Sequence, residues 1–237
     1  MGVLTDRYFK AIDDLLEKLK IDQNENIMKA AEIIASSVMN EGIIQTFGSG
    51  HSYGTALEIS GRTGGLIPTK LLREPSTGMY ERIEGVGEIF AKECDFREED
   101  CIIIISNSGR NPISIEIAKV AKEKGLKIIV LTSYEVSKNI KSRHSSGKKL
   151  FDYADVILDN MGVYGDSALE VEGIPVKVGA TSSIAGAMLL NSAVLESMDL
   201  MLKQGFTPPV FMSANIDGGL EYNDKLLCKY KDRLNRL

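Results

Sequence analysis

Ser106 and Ser108, one residue apart at the end of an apolar run, are the side chains best placed to do chemistry. They stand in Cys101-Ile-Ile-Ile-Ile-Ser106-Asn107-Ser108-Gly109-Arg110-Asn111-Pro112. The chemistry they suit is anion binding. Asn111 is a preferred helix N-cap, and Pro112 fits the first helical position because its missing N–H would have no partner there. The helix so opened carries Ile113, Ile117, Val120 and Ala121 on one face and stops at Gly125. A buried strand thus delivers two hydroxyls and several free backbone N–H groups to a helix start, where an anion such as phosphate binds.

Two further turns repeat the plan. Ile43, Ile44 and Phe47 lead into Gly48-Ser49-Gly50-His51-Ser52, and a helix opens at Ala56, Leu57 and Ile59. Val176-Lys177-Val178 leads to Gly179-Ala180-Thr181-Ser182-Ser183 and an apolar helix from 184 to about 203. One Gly-Ser turn is a plain connector. Three with repeated hydroxyls are more than connection requires. In a parallel sheet such turns gather at the carboxyl ends of the strands, where ligands of open α/β folds bind.

The elements that must position these turns follow from periodicity. Residues 4–20 read as an amphipathic helix through Tyr8, Ile12, Leu15, Leu16 and Leu19. Asp22 with Glu25 predicts a capping box opening a second helix to about Met39. Strands are expected near 43–47, 67–72, 101–106, 127–132, 155–158 and 175–178. Their alternation with helices implies an α/β, three-layer α/β/α sandwich with a parallel sheet covered on both faces. Residues 73–97 read as polar loop with short helix, 134–150 as a basic, Ser-rich stretch, and 206–219 as a loop before a last polar helix.

Composition narrows the function. The chain has 237 residues, 43% of them hydrophobic, enough for one large α/β domain with extensions. A net charge of −5 without a long basic run argues against nucleic acid. Three cysteines, Cys94, Cys101 and Cys228, are odd in number and show no CxxC, which fits reduced thiols in a cytoplasmic protein. The N-terminus lacks a signal-peptide pattern, and no apolar run reads as a membrane span. The two histidines lack partners at metal-ligand spacing, so no metal and no cofactor are expected. Gly48-Ser-Gly50 does not complete G-x-G-x-x-G, because Tyr53 stands where the third glycine belongs, and there is no P-loop.

Gly48-Ser49-Gly50-His51-Ser52, Ser106-Asn107-Ser108-Gly109 and Thr181-Ser182-Ser183 together resemble the SIS (sugar isomerase) domain family, which includes the phosphoheptose isomerases. The likeness runs from about residue 25 to about 205. It implies a five-stranded parallel sheet of flavodoxin-like type that binds phosphosugars. By that resemblance Ser106, Asn107, Ser108, Gly109, Arg110 and Asn111 hold the phosphate. Gly48, Ser49, Gly50, Ser52, Thr181, Ser182 and Ser183 line the same pocket. The family often follows Ser-Gly with Asn-Thr or Asn-Ser; here Arg110-Asn111-Pro112 stands instead, so Arg110 either adds a charge-assisted contact to phosphate or points to solvent.

Aldose–ketose isomerisation needs a base to move a proton between adjacent carbons and gains from an acid that helps open the sugar ring. Glu58-Ile-Ser-Gly-Arg62 resembles the Glu-Leu-Thr-Gly-Arg of phosphoheptose isomerases, where the Glu is a catalytic candidate. The alternative is a Glu paired with Arg62 at i,i+4. His51 lies in the glycine turn, where arabinose-5-phosphate isomerases carry Lys, and is a candidate for acid–base work. His144, in a basic loop, is a third candidate, against a solvated role. Phosphoheptose isomerases place a catalytic His on their last helix, and residues 184–205 and 220–237 contain none. Asp166, Asn215 and Asp217 are weaker candidates beside glycines.

The resulting expectation is a phosphosugar isomerase, with an amino-sugar-phosphate etherase or lyase and a non-catalytic phosphosugar sensor as alternatives. The expected domains are 1–40, N-terminal helices packing on the domain and forming a dimer face; 41–205, the phosphosugar domain; and 206–237, a C-terminal loop and helix. A homodimer or homotetramer with shared active sites is expected, with no membrane partner.

Overall fold

A computed structural model describes residues 2–235. Five strands form one parallel sheet: β1 (Ile44–Gly48), β2 (Thr69–Leu71), β3 (Cys101–Ile105), β4 (Lys127–Thr132) and β5 (Val156–Asp159), in the order β2-β1-β3-β4-β5. The register pairs Ile44 with Thr69 and Cys101, Cys101 with Lys127, and Ile129 with Val156. This order reverses between β1 and β3, so the turns after these strands diverge to opposite faces and leave a crevice at their carboxyl ends.

The strands are apolar because both faces are covered. Ile44, Cys101, Ile103, Ile105, Ile129 and Leu131 pack beneath α2 (Asn24–Met39) and α7 (Ser182–Lys203). Phe47, Ile102, Ile104, Ile128 and Val130 pack beneath α4 (Val86–Glu93) and α5 (Pro112–Glu123). The three-layer sandwich expected from the alternation is the one formed. Each fully buried Ile or Leu is worth about 1.5–3 kcal/mol in transfer free energy. α5 is buried on more than one stripe: every residue from Pro112 to Ala118 is enclosed, because α4 and a 3₁₀ turn at Leu150–Tyr153 cover its flanks. Cys94 and Cys101 are buried free thiols and Cys228 is an exposed one; burial pushes the first two up to about 11 and about 12.

Several local expectations need correction. No capping box forms at Asp22. Helix α1 (Val3–Asp22) runs into α2 through Gln23 alone, with no side-chain cap. Gln23 is buried and its Oε1 accepts the Asp159 N–H at 2.9 Å, fixing the joint to the end of β5. Residues 175–178 form no strand. Val178 makes only an antiparallel bridge to Leu169, and Ile174 and Val176 are exposed, so that stretch lacks the burial that stabilises sheet. α3 (Ser52–Leu57), like α6 (Tyr134–Asn139), is six residues long, so Glu58 lies at the end of α3 and not inside it. The chain turns there because Gly61 is left-handed at φ +64° and donates its N–H to Thr69 Oγ1 at 3.1 Å.

α7 meets the length and composition of a membrane span, at 22 residues and a mean hydropathy of 1.2, against the expectation that no apolar run would. In this fold Ala185, Gly186, Leu189, Leu190, Ala193 and Val194 are buried against the sheet and α2. Helix α8 (Gly219–Leu234) is anchored at the opposite end of the sheet by Tyr230 and Arg233. Arg233, 8% exposed, donates to Asp100 Oδ2 at 2.6 Å and to Asp95 Oδ2 at 2.9 Å.

Candidate functional site

The β3 turn is built as an open cradle. Gly109 has φ +57°, and a Cβ there would lie 2.7 Å from Ser137 Oγ, so only glycine fits. The Gly109 N–H folds back to the carbonyl of Ser106 at 3.1 Å and to its hydroxyl at 3.2 Å. Among the described residues the N–H groups of Ser108, Arg110 and Asn111 meet no protein acceptor. α5 opens at once with Pro112 in its first turn. Asn111 holds the N-cap position but its side chain caps nothing. Its Oδ1 instead accepts from Arg143 Nη1 at 2.8 Å.

The cradle is held from behind by buried amides. The Asn107 carbonyl accepts the Thr132 hydroxyl at 3.1 Å and the Ser133 N–H at 3.0 Å. Asn107 Oδ1 accepts from Nδ2 of Asn160, which is fully buried, at 2.7 Å. Asn160 Oδ1 in turn accepts the Ser133 hydroxyl at 2.7 Å and the Gly162 N–H at 2.9 Å. Asn107 therefore serves to position the turn from the ends of β4 and β5.

The β1 turn faces this cradle across a cavity of about 360 Å³. Ser49, Ser52, Ser106, Asn107, Ser108, Arg110 and Asn111 all line it. The loop following β2 closes over the turn so tightly that a Cβ on Gly78 would lie 2.8 Å from Ser49 Oγ. This brings in Glu81, whose Oε2 accepts the Ser49 hydroxyl at 3.1 Å and whose carbonyl accepts the Ile113 N–H of α5 at 3.3 Å. Arg143, Ser133, Tyr164 and Asp166 complete the walls. Arg143 is exposed at the cavity rim; slight desolvation and the Arg110 and Arg82 guanidinium groups nearby hold it below the usual arginine range, against the opposing pull of Glu81.

The other candidates lie elsewhere. His51 is exposed at the start of α3. Glu58 is ion-paired with Arg62 and accepts from Asn191 Nδ2 of α7 at 3.1 Å, outside the cavity lining. His144 Nε2 lies 3.5 Å from Glu116 Oε1, and its Nδ1 is 2.7 Å from Ser146 Oγ. Glu116, 4% exposed, caps α4 by accepting the N–H groups of Gly85, Gly87 and Glu88 at 2.6, 2.8 and 3.1 Å. In this geometry His144 fastens its loop to α5. Thr181, Ser182 and Ser183 do not line the cavity either. The carboxylate of Asp166 occupies that helix start, accepting the Thr181 N–H at 3.2 Å, the Ser182 N–H at 3.0 Å and the Ser182 hydroxyl at 2.6 Å.

Sequence reasoning missed Glu81 and Arg143 as cavity residues. Neither has a local signal: each stands in a long loop whose path is set by contacts with α5. Asn215 and Asp217 lie in the loop before α8 and do not line the cavity.

A parallel sheet in this order, with a hydroxyl-bearing turn and a helix start at its reversal point, defines a doubly wound α/β domain. The profile of the SIS domain matches residues 7–133, more than half of the chain, and the chain belongs to the SIS domain family. A UPF0309 protein of Listeria monocytogenes is 50% identical, over 97% of this chain and 98% of its own length. A UPF0309 protein of a Geobacillus species is 40% identical over 98% and 97%. The phosphoheptose isomerase of Francisella tularensis shares the fold at a TM-score of 0.59, with 17% identity, over 83% of this chain and 98% of that one. The phosphoheptose isomerase GmhA of Neisseria gonorrhoeae does so at 0.55, with 20% identity, over 82% and 96%.

Proposed function

We propose that this chain binds a phosphosugar with its phosphate in the Ser106–Asn111 cradle and acts as an aldose–ketose sugar-phosphate isomerase. The observation that carries the reading is the convergence of Ser49, Ser52, Ser106 and Ser108 with unpartnered N–H groups on one cavity. A phosphate there would take hydrogen bonds from the turn and the positive end of α5. The sugar would then extend toward the β1 turn. The NanR protein of Vibrio vulnificus, which shares the fold at a TM-score of 0.52 with 16% identity, is complexed with ManNAc-6P. Phosphosugar binding by that protein supports the same ligand class here.

Glu58 and His51 remain the proposed acid–base groups, reached in an oligomer. Beside Glu58, α7 exposes Ile184, Met188, Leu195 and Leu202, the last three at seven-residue spacing on one face. A second copy covering that stripe would bury apolar area and enclose Glu58, giving a dimer or tetramer with shared sites. The reading needs no metal or cofactor, and the reduced, buried thiols of Cys94 and Cys101 fit a cytoplasmic enzyme. The N-terminal helices, the 41–205 domain and the C-terminal extension would act as one unit.

One observation favours a second reading. The cavity is lined by two carboxylates, Glu81 and Asp166, and by no histidine. Elimination of an ether substituent from an amino-sugar phosphate needs a carboxylate base and no histidine.

The test is thermal-shift screening against sugar phosphates and their unphosphorylated parents. A ligand at 100 times its Kd should stabilise the fold by about 2.7 kcal/mol. Binding that requires the phosphate and is weakened in Ser106→Ala/Ser108→Ala supports the site. Formation of the ketose from the aldose then marks the isomerase, whereas release of the ether substituent with uptake of solvent oxygen marks the lyase. If no phosphosugar stabilises the protein, the proposal fails.

A further inference from the structure

Two guanidinium groups and two carboxylates line the cavity, but no ion pair joins them. Arg110 and Arg143 both line it, and among the described residues neither forms an ion pair. Its two carboxylates are engaged elsewhere. Glu81 takes the Ser49 hydroxyl and lies 3.9 Å from Arg82 Nε, while Asp166 is held by the start of α7. Arg110 Nε is buried with no hydrogen-bond partner, a costly arrangement for a charged group.

Arg110 and Arg143 are also stapled together. The Arg143 N–H donates to the Arg110 carbonyl at 2.9 Å, and Arg143 Nη1 donates to Asn111 Oδ1 at 2.8 Å. The N-cap side chain of α5 is thus spent on holding a cation at the positive end of a helix. That placement is electrostatically unfavourable unless an anion lies between them. Hydroxyls and N–H groups donate to a singly or doubly charged phosphate alike. Two guanidinium groups match the double charge.

We propose that Arg110 and Arg143 form a clamp that holds the ligand's phosphate as a dianion, and that this charge state is what the site selects. The clamp rests on the phosphosugar reading above and makes Arg110 and Arg143 specificity residues of that site. The charged and titratable groups facing it are Glu81 and Arg82 from the loop after β2, and Tyr164 and Asp166 from the segment after β5. His144, next in sequence, is turned to Glu116 and Ser146.

Calorimetric titration of the full chain with inorganic phosphate and with sulfate across about pH 5.5–8 tests it. Arginine keeps its charge throughout this range, whereas phosphate gains its second charge as pH rises through roughly 6–7. Phosphate affinity should rise about tenfold with pH while sulfate affinity stays flat. A histidine contribution would have the opposite sign and would act on both anions. Arg143→Gln and Arg110→Gln should each weaken binding about tenfold or more and flatten the phosphate profile, one charge-assisted bond being lost. Arg143→Lys should restore much of the slope by keeping the charge. If Arg110→Gln fails to fold, the two Arg143 variants decide. Phosphate binding with a flat profile, or variants with an unchanged slope, overturns the clamp alone. A wild-type protein that binds neither phosphate nor any sugar phosphate overturns the phosphosugar reading with it.

Discussion

Asn160 Nδ2 donates to Asn107 Oδ1 at 2.7 Å, joining the end of β5 to the middle of the turn after β3. Asn160 is fully buried, and its Oδ1 also satisfies Ser133 and Gly162. The turn is therefore positioned by two neighbouring strands as well as by its own residues.

Asn160→Ala should cost about 1–3 kcal/mol, because it strands buried partners without hydrogen bonds. Phosphate affinity should fall as well, although Asn160 does not line the cavity. Denaturant unfolding and phosphate titration of the same variant check this. Full stability with normal binding would show that the turn holds its shape unaided.

Asp166 is left-handed at φ +53° and caps α7. Asp166→Asn keeps a side chain that tolerates this backbone and loses the charge at the helix start. It should cost about 0.3–1 kcal/mol. Asp166→Ala loses the cap as well and should cost about 0.5–2 kcal/mol. Since Asp166 also lines the cavity, removing its charge should tighten anion binding. Weaker phosphate binding in the stable Asp166→Asn variant would contradict this electrostatic account.

Arg233→Ala should be among the most damaging changes to stability. It removes the ion-pair partner of Asp100, a buried carboxylate, and frees α8 from the sheet. Breaking a buried pair from one side costs about 3–5 kcal/mol. For a chain of this size that is a loss of roughly 6–20 °C in Tm. Differential scanning calorimetry reads it directly.

Acid should unfold the protein through its paired aspartates. Burial raises the Asp155 carboxyl, but the Ile128 N–H donor and Lys122 and Lys127 outweigh it and hold it below the ordinary range. Asp95 is likewise raised by burial but depressed further by Arg97 and Arg233. A depressed carboxylate contributes stability that is present above its unfolded pKa, about 3.9, and lost as pH falls through the lower folded value. Stability from this source should be level above about pH 5 and fall below about 4. Asp155→Asn should reduce that acid dependence in a urea series taken at several pH values.

What the sequence determined by itself was whatever depends on neighbours along the chain. Alternation of apolar runs with 3.6-period stretches set the layers and five of the strands. Pro112 marked the start of α5 because its ring fixes φ, and Gly109 and Gly125 marked the turns on either side because glycine takes their left-handed backbone without a Cβ clash. Tertiary structure decided what depends on distant contacts. The gathering of the β1 and β3 turns on one cavity follows from strand order, which no local pattern encodes. Glu81 and Arg143 reach that cavity because their loops fold over α5. The α7 turn, equal to the others in composition, faces Asp166 and not the cavity, since a carboxylate 16 residues upstream already occupies its free N–H groups. Residue type announces that a turn can bind an anion; only packing settles which anion it meets.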